Sequence, residues 1–129
     1  MPERSADWMA QAERDLEQAR WSLEGQFFEW ACFIAQQAAE KAVKAVYQAH
    51  HAVAWGHAVS KLLADLPGGE RPAESLIERA IRLDRFYIPP RYPNGFDVGS
   101  PKDYFTRRDA EEAIEDAAQI LDFCRRRLS

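Results

Sequence analysis

Between Phe27 and His50 the chain carries neither glycine nor proline, and alanines recur at positions 31, 35, 38, 42, 45 and 49. Those steps of three and four residues put small side chains along one face of a helix, where neighbouring helices can approach closely. A helix so lined belongs at the centre of a fold, so the rest of the chain must supply helices to pack around it. The chain has 129 residues, of which 47% are hydrophobic and 29% charged, enough apolar mass for one domain spanning residues 1–129.

The flanking segments supply those helices. From Ala6 to Leu23 the residues Trp8, Ala12, Leu16, Ala19 and Leu23 form an amphipathic stripe that Gly25 ends. His57 to Leu66 reads as a short helix closed by Pro67, Gly68 and Gly69, and a further helix is expected from about Pro72 to Arg85. The last helix starts at Thr106, an N-cap with Asp109 three residues on. It carries Ala110, Ala113, Ile114, Ala117, Ile120, Leu121, Cys124 and Leu128 on one face. Nothing alternates with period two, so the fold class is all-α, an up-and-down bundle of four to five helices.

One segment escapes the pattern. Phe86 to Phe105 contains Pro89, Pro90, Pro93, Gly95, Gly99 and Pro101 among Tyr87, Tyr92, Phe96 and Tyr104. That proline density forbids a helix of useful length, while the aromatics predict a loop packed onto the bundle.

Acids outnumber Lys and Arg by 21 to 17, a formal charge of −4 that disfavours a broad polyanion track. Arginine nevertheless dominates the cations, the lysines being confined to Lys41, Lys44, Lys61 and Lys102. Positive potential must therefore be local. Lys41 and Lys44 lie three apart on the central helix, able to converge on a phosphate or to stay paired, as Glu40 and Lys44 would be at i,i+4. Arg79, Arg82 and Arg85 form a row leading into the aromatic loop. Arg91 stands inside it before Tyr92, either open to a base or phosphate, or pinning the loop through a helix carbonyl or an acid such as Asp84.

No Gly-x-Ser-x-Gly elbow and no glycine-rich phosphate cradle occurs. The histidines are His50, His51 and His57, without a metal-ligand spacing, so neither metal nor cofactor is expected. Cys32 and Cys124 sit in apolar stretches and read as core thiols in a reducing cytoplasm. No stretch suits a membrane span or export signal.

The ordered set resembles the small prokaryotic form of the HEPN domain. It comprises Trp8, Ala12, Asp15 and Leu16, the run Gln37-Ala38-Ala39-Glu40-Lys41-Ala42-Val43-Lys44, Gly56-His57, Leu62-Leu63, Leu83-Asp84, Tyr87-Ile88, Arg91-Tyr92-Pro93, Pro101 and Tyr104. The resemblance implies a helical bundle, a homodimer, and frequent pairing with a minimal nucleotidyltransferase as a toxin–antitoxin or two-subunit module. Many HEPN proteins look like ribonucleases whose motif is an arginine, four to six residues, then a histidine. Here every histidine precedes residue 58 and the nearest preceding arginine is Arg20, so that motif maps onto no position. The expected function is thus a nucleotide- or RNA-binding module, with Lys41, Lys44 and Arg91 on phosphate and Tyr92 or Tyr104 as stacking surface. The alternatives are a metal-independent ribonuclease using His57 as base and Arg91 as electrostatic stabiliser, and a purely structural docking subunit.

Overall fold

The computed structural model describes residues 3–129. Among them lie five α-helices and no strand: α1 (Ser5–Glu24), α2 (Phe28–Ala49), α3 (Val59–Ala64), α4 (Glu74–Asp84) and α5 (Arg107–Leu128). The two long hydrophobic stripes read from sequence pack against α2 from either side. Ala31, Ala35, Ala38, Ala42 and Ala45 of α2 are fully buried against Ala12 and Ala19 of α1 and against Ala110, Ala113, Ala117 and Ile120 of α5. Small residues on facing helices let the three axes draw together, and Leu63, Leu83 and Leu121 fill the space around them.

α1 and α2 are joined by a turn in which the left-handed conformation falls on Gln26, at φ +67°, while Gly25 keeps a right-handed φ of −77°. The glycine serves a different purpose. A Cβ on Gly25 would stand 3.1 Å from the Phe27 ring, which folds back over it. At the other end of the fold, Thr106 accepts from the Asp109 amide at 3.1 Å and the Asp109 carboxylate accepts from the Thr106 amide at 2.9 Å. This capping box starts α5 where the sequence placed it. α3 differs from expectation: it begins at Val59, capped by Ala58, and ends at Ala64, so His57 lies in the preceding turn instead of opening the helix.

The proline-rich segment is irregular but built, with three single-turn 3-10 pieces, each opened by proline, at Pro89–Arg91, Pro93–Gly95 and Pro101–Asp103. Proline fixes the φ such a turn needs and lacks an N–H that would go unpaired there. The segment packs down through its aromatics. Phe86 and Phe105 meet edge-on at its base, their centroids 5.9 Å apart, and Phe96 stacks on Tyr104 at 4.2 Å. α4 is tied to α5 by Asp116, which is almost wholly buried and accepts from Arg79 at 2.9 Å and from Arg82 at 2.9 and 2.7 Å. No helix among the described residues is long and apolar enough to cross a membrane.

Candidate functional site

Gln36, Glu40 and Lys44 are spaced by four, so they form one row along α2. Glu40 is buried at the middle of it. Its carboxylate accepts from Lys44 Nζ at 3.0 Å, from Gln36 Nε2 at 3.2 Å and, across the α2–α3 turn, faces His57 Nδ1 at 3.1 and 3.2 Å. Burial works to raise the Glu40 pKa, but the hydrogen bonds from Lys44, His57 and Gln36 and the Lys44 charge outweigh it, and the net shift is downward. The carboxylate is therefore ionised near neutral pH and can only accept. Nδ1 of His57 must carry a proton to reach it, which leaves Nε2 of the neutral ring as a free acceptor. Gln36 also donates to the His57 carbonyl at 3.1 Å, so the turn is held by backbone as well as ring.

The His57 ring lies flat on Tyr87, with centroids 4.4 Å apart and planes 17° apart. The same Tyr87 ring carries the Arg91 guanidinium at 4.8 Å, which also covers Phe33 at 4.4 Å and Tyr92 at 5.3 Å. Arg91 Nε donates to the Tyr87 carbonyl at 2.8 Å, which lies in the loop beyond the end of α4, so the bond closes a turn of the loop instead of pinning it to the helix carbonyl expected. Asp84, the acid considered for it, is instead bound by Ser60. Among the described residues no carboxylate stands within ion-pair distance of Arg91, so its charge is balanced only by ring faces and one carbonyl. An aromatic row, Trp30–Phe33–Tyr87–His57, runs from the start of α2 to this cluster.

Of the residues singled out from sequence, His57, Lys44, Arg91 and Tyr92 come together around Glu40 and Tyr87. Lys41 turns the other way, to Asp15 of α1, beside a depression of about 460 Å3 lined by Arg4, Asp7, Trp8 and Gln11. Tyr104 belongs to the loop's own packing, stacked on Phe96 with its hydroxyl donating to the Val98 carbonyl at 2.5 Å. Arg79 and Arg82 are taken by Asp116, and Arg85 rests over Phe86. Tyr87 and Phe33 are the neighbours of Arg91 that sequence reasoning missed. Their signal was aromatic identity next to an arginine, but nothing local paired residue 33 with residue 91. Burial pushes both thiols, Cys32 and Cys124, up to about 12, which suits core packing and not nucleophilic work.

A bundle of five helices whose polar cluster joins a central helix to an aromatic-rich loop defines a class of all-α domains. The chain belongs to the HEPN domain family, whose pattern it matches over residues 5–127. Its relatives agree. It is 44% identical to TT1696 from Thermus thermophilus, with a TM-score of 0.94 over 98% of this chain and 99% of that one. It is 40% identical to ST0689, an archaeal HEPN homologue, with a TM-score of 0.83 over the whole of both chains. A HEPN domain protein from Thermotoga maritima matches at 40% identity and a TM-score of 0.77, over 95% of this chain and 97% of that one. A Methanocaldococcus jannaschii protein named "Putative toxin MJ1304" is 29% identical over 124 residues, 89% of this chain and 82% of the relative.

Proposed function

We propose that this chain is a nucleotide- or RNA-binding HEPN module, working in the cytoplasm as a homodimer beside a minimal nucleotidyltransferase in a toxin–antitoxin or two-subunit system. The observation that carries the reading is Arg91: a guanidinium without a carboxylate partner among the described residues, held between Phe33, Tyr87 and Tyr92, with the His57 ring stacked on the same tyrosine. Such a group offers its remaining N–H donors to a phosphate, and the half-exposed Tyr92 offers a face to a base. Lys44, although paired with Glu40, adds positive charge one turn along α2 from that carboxylate. The archaeal relative's name supports the toxin side of the reading. Calorimetric titration with ATP, GTP and short RNA tests it: heat with wild type and none with Arg91→Ala supports binding here, whereas silence with every ligand refutes it.

A specific observation also favours a ribonuclease. The Glu40 carboxylate fixes His57 with a free Nε2, the arrangement of a general base, and Tyr87 links that ring to a cation able to stabilise developing charge. Labelled RNA incubated with wild type and His57→Ala separates the two, because cleavage lost in the variant makes the protein an enzyme and no cleavage by wild type leaves it a binder.

A further inference from the structure

Asn94 is the chain's only asparagine, and Gly95 follows it. Both are exposed, in the single-turn piece Pro93–Gly95 of the aromatic loop. That turn has no structural need of a glycine: the φ of Gly95 lies outside the left-handed region, and a Cβ added there would meet nothing within 4 Å. Gly99, four residues on, is the contrast, with φ +77° and a Cβ position 2.7 Å from the Asp103 carboxylate. The loop's other two turns also tie down their third amide. Arg91 N–H donates to the Ile88 carbonyl at 3.0 Å and Asp103 N–H to the Ser100 carbonyl at 2.9 Å, whereas Gly95 N–H makes no such bond. Side-chain hydrogen bonds in the loop belong to Arg91 on one side and to Ser100, Lys102, Asp103 and Tyr104 on the other, and Asn94 makes none. An uncrowded backbone nitrogen therefore stands beside an unbound side-chain amide, both open to water.

We propose that Asn94–Gly95 is a self-modification site, at which the folded protein converts its asparagine to isoaspartate without an enzyme. The Gly95 nitrogen attacks the side-chain carbonyl carbon of Asn94 and a new C–N bond closes a five-membered succinimide. The bond from that carbon to the amide nitrogen breaks, and the nitrogen leaves as ammonia, taking up the proton that Gly95 gives. Water then opens the imide. Attack at the side-chain carbonyl gives aspartate, and attack at the backbone carbonyl gives isoaspartate, in which the chain continues through the former side chain. Nothing is oxidised or reduced, and water is the only co-reactant. Isoaspartate places one more methylene in the backbone between Pro93 and Gly95. The bond from Phe96 N–H to the Pro93 carbonyl, 3.0 Å long, closes over that point, and Phe96 is the ring stacked on Tyr104. Isoaspartate thus opens the turn and unseats Phe96, while aspartate adds only a charge to an exposed side chain. The freed isoaspartyl carboxyl makes the loop a substrate for methyltransferases that transfer a methyl group from S-adenosylmethionine to that residue. None of this depends on what the Arg91 site binds.

The test incubates the full chain in mildly alkaline buffer for several days, beside the same chain unfolded in urea. Peptide mapping by mass spectrometry and methylation by an isoaspartyl methyltransferase read the product. Residue 94 is expected to accumulate isoaspartate in the folded protein as ammonia is released. An Asn94 that stays intact in the folded chain while the unfolded chain converts overturns the site. Gly95→Ala suits the turn and its open surroundings, so it keeps the fold while its Cβ crowds the attacking nitrogen. It is expected to slow conversion about tenfold or more, and conversion as fast as in wild type overturns the route through the imide. Asn94→Asp supplies the charge without the extra methylene and is expected to keep the wild-type NMR shifts of the Phe96 and Tyr104 rings. The isoaspartyl form is expected to move both, and unmoved rings in that form overturn the effect on the loop.

Discussion

His57 turns Nδ1 onto the Glu40 carboxylate, 3.1 Å away, although the two residues stand 17 apart in the chain and only Glu40 belongs to a helix. The pair fixes the ring of a residue that stands on the turn between α2 and α3. Glu40 is buried, shared with Lys44, and cannot follow a wandering ring.

Glu40→Gln should therefore change His57 before it changes the fold. The ring loses its ionised acceptor, and nitrogen NMR shifts should show the Nδ1–H tautomer give way to a mixture, while retention of wild-type shifts would contradict the assignment. Leaving Lys44 without its counter-charge is expected to cost about 1–3 kcal/mol in urea unfolding at neutral pH. The pH dependence has a definite sign. Because the folded Glu40 pKa is lowered from 4.5, its contribution is full above that value and is lost as pH falls through the lower folded value. The variant should lose that part of the acid-side slope.

Arg91→Lys keeps the charge and discards the plane. A lysine cannot cover Phe33, Tyr87 and Tyr92 together or keep the fork free for phosphate, so ligand affinity is expected to drop about tenfold. Calorimetry with the ligand bound by wild type checks this. Equal affinity would show that charge alone is read at the site.

Asp116→Asn weakens the clamp between α4 and α5. Asp116 is almost fully buried, but Arg79 and Arg82 are each about a third exposed and can turn to water, which moderates the loss. The expected cost is about 2–4 kcal/mol, read as a lower urea midpoint with the denaturant slope unchanged.

Gln26→Gly should stabilise the protein. At φ +67° a side chain is strained, and glycine relieves the strain at some cost in unfolded-chain entropy, for a net gain of about 0.5–1 kcal/mol. A lower melting temperature would show that the glutamine side chain supports the turn in some other way.

The helices were legible because their information is local. Alanine spacing placed α2 at the centre, and Thr106 with Asp109 set the start of α5 as the cap geometry has it. Ile81 stands beside the buried Ala80 on α4, yet it is half exposed, since the apolar stripe on a short helix is wider than the face it buries. The site was legible only as a parts list. Glu40 was visible as the i,i+4 partner of Lys44, but its second partner, His57, depends on how the α2–α3 turn folds back. Lys41 and Lys44 share a face by arithmetic, yet α1 supplies Asp15 to one while Glu40 holds the other, so neighbouring helices separated what spacing had joined. Arg91 could not be matched to Phe33 from sequence, because that pairing is set by where the proline turns deliver the loop.

The bonds from Arg79 and Arg82 to Asp116 act together with Phe86 and Phe105, which close the aromatic loop at its base. The chain between those anchors is held at both ends, and in between it is seated on the bundle by the buried Pro90 and by Tyr87 and Arg91 against Phe33. Lengthening the loop at its exposed turns costs little in closure entropy while its ends and its buried prolines stay pinned. Residues of the loop that lie exposed, such as Asn94 and Val98, can thus be exchanged with the Glu40–His57 pair on α2 and the following turn left as it is.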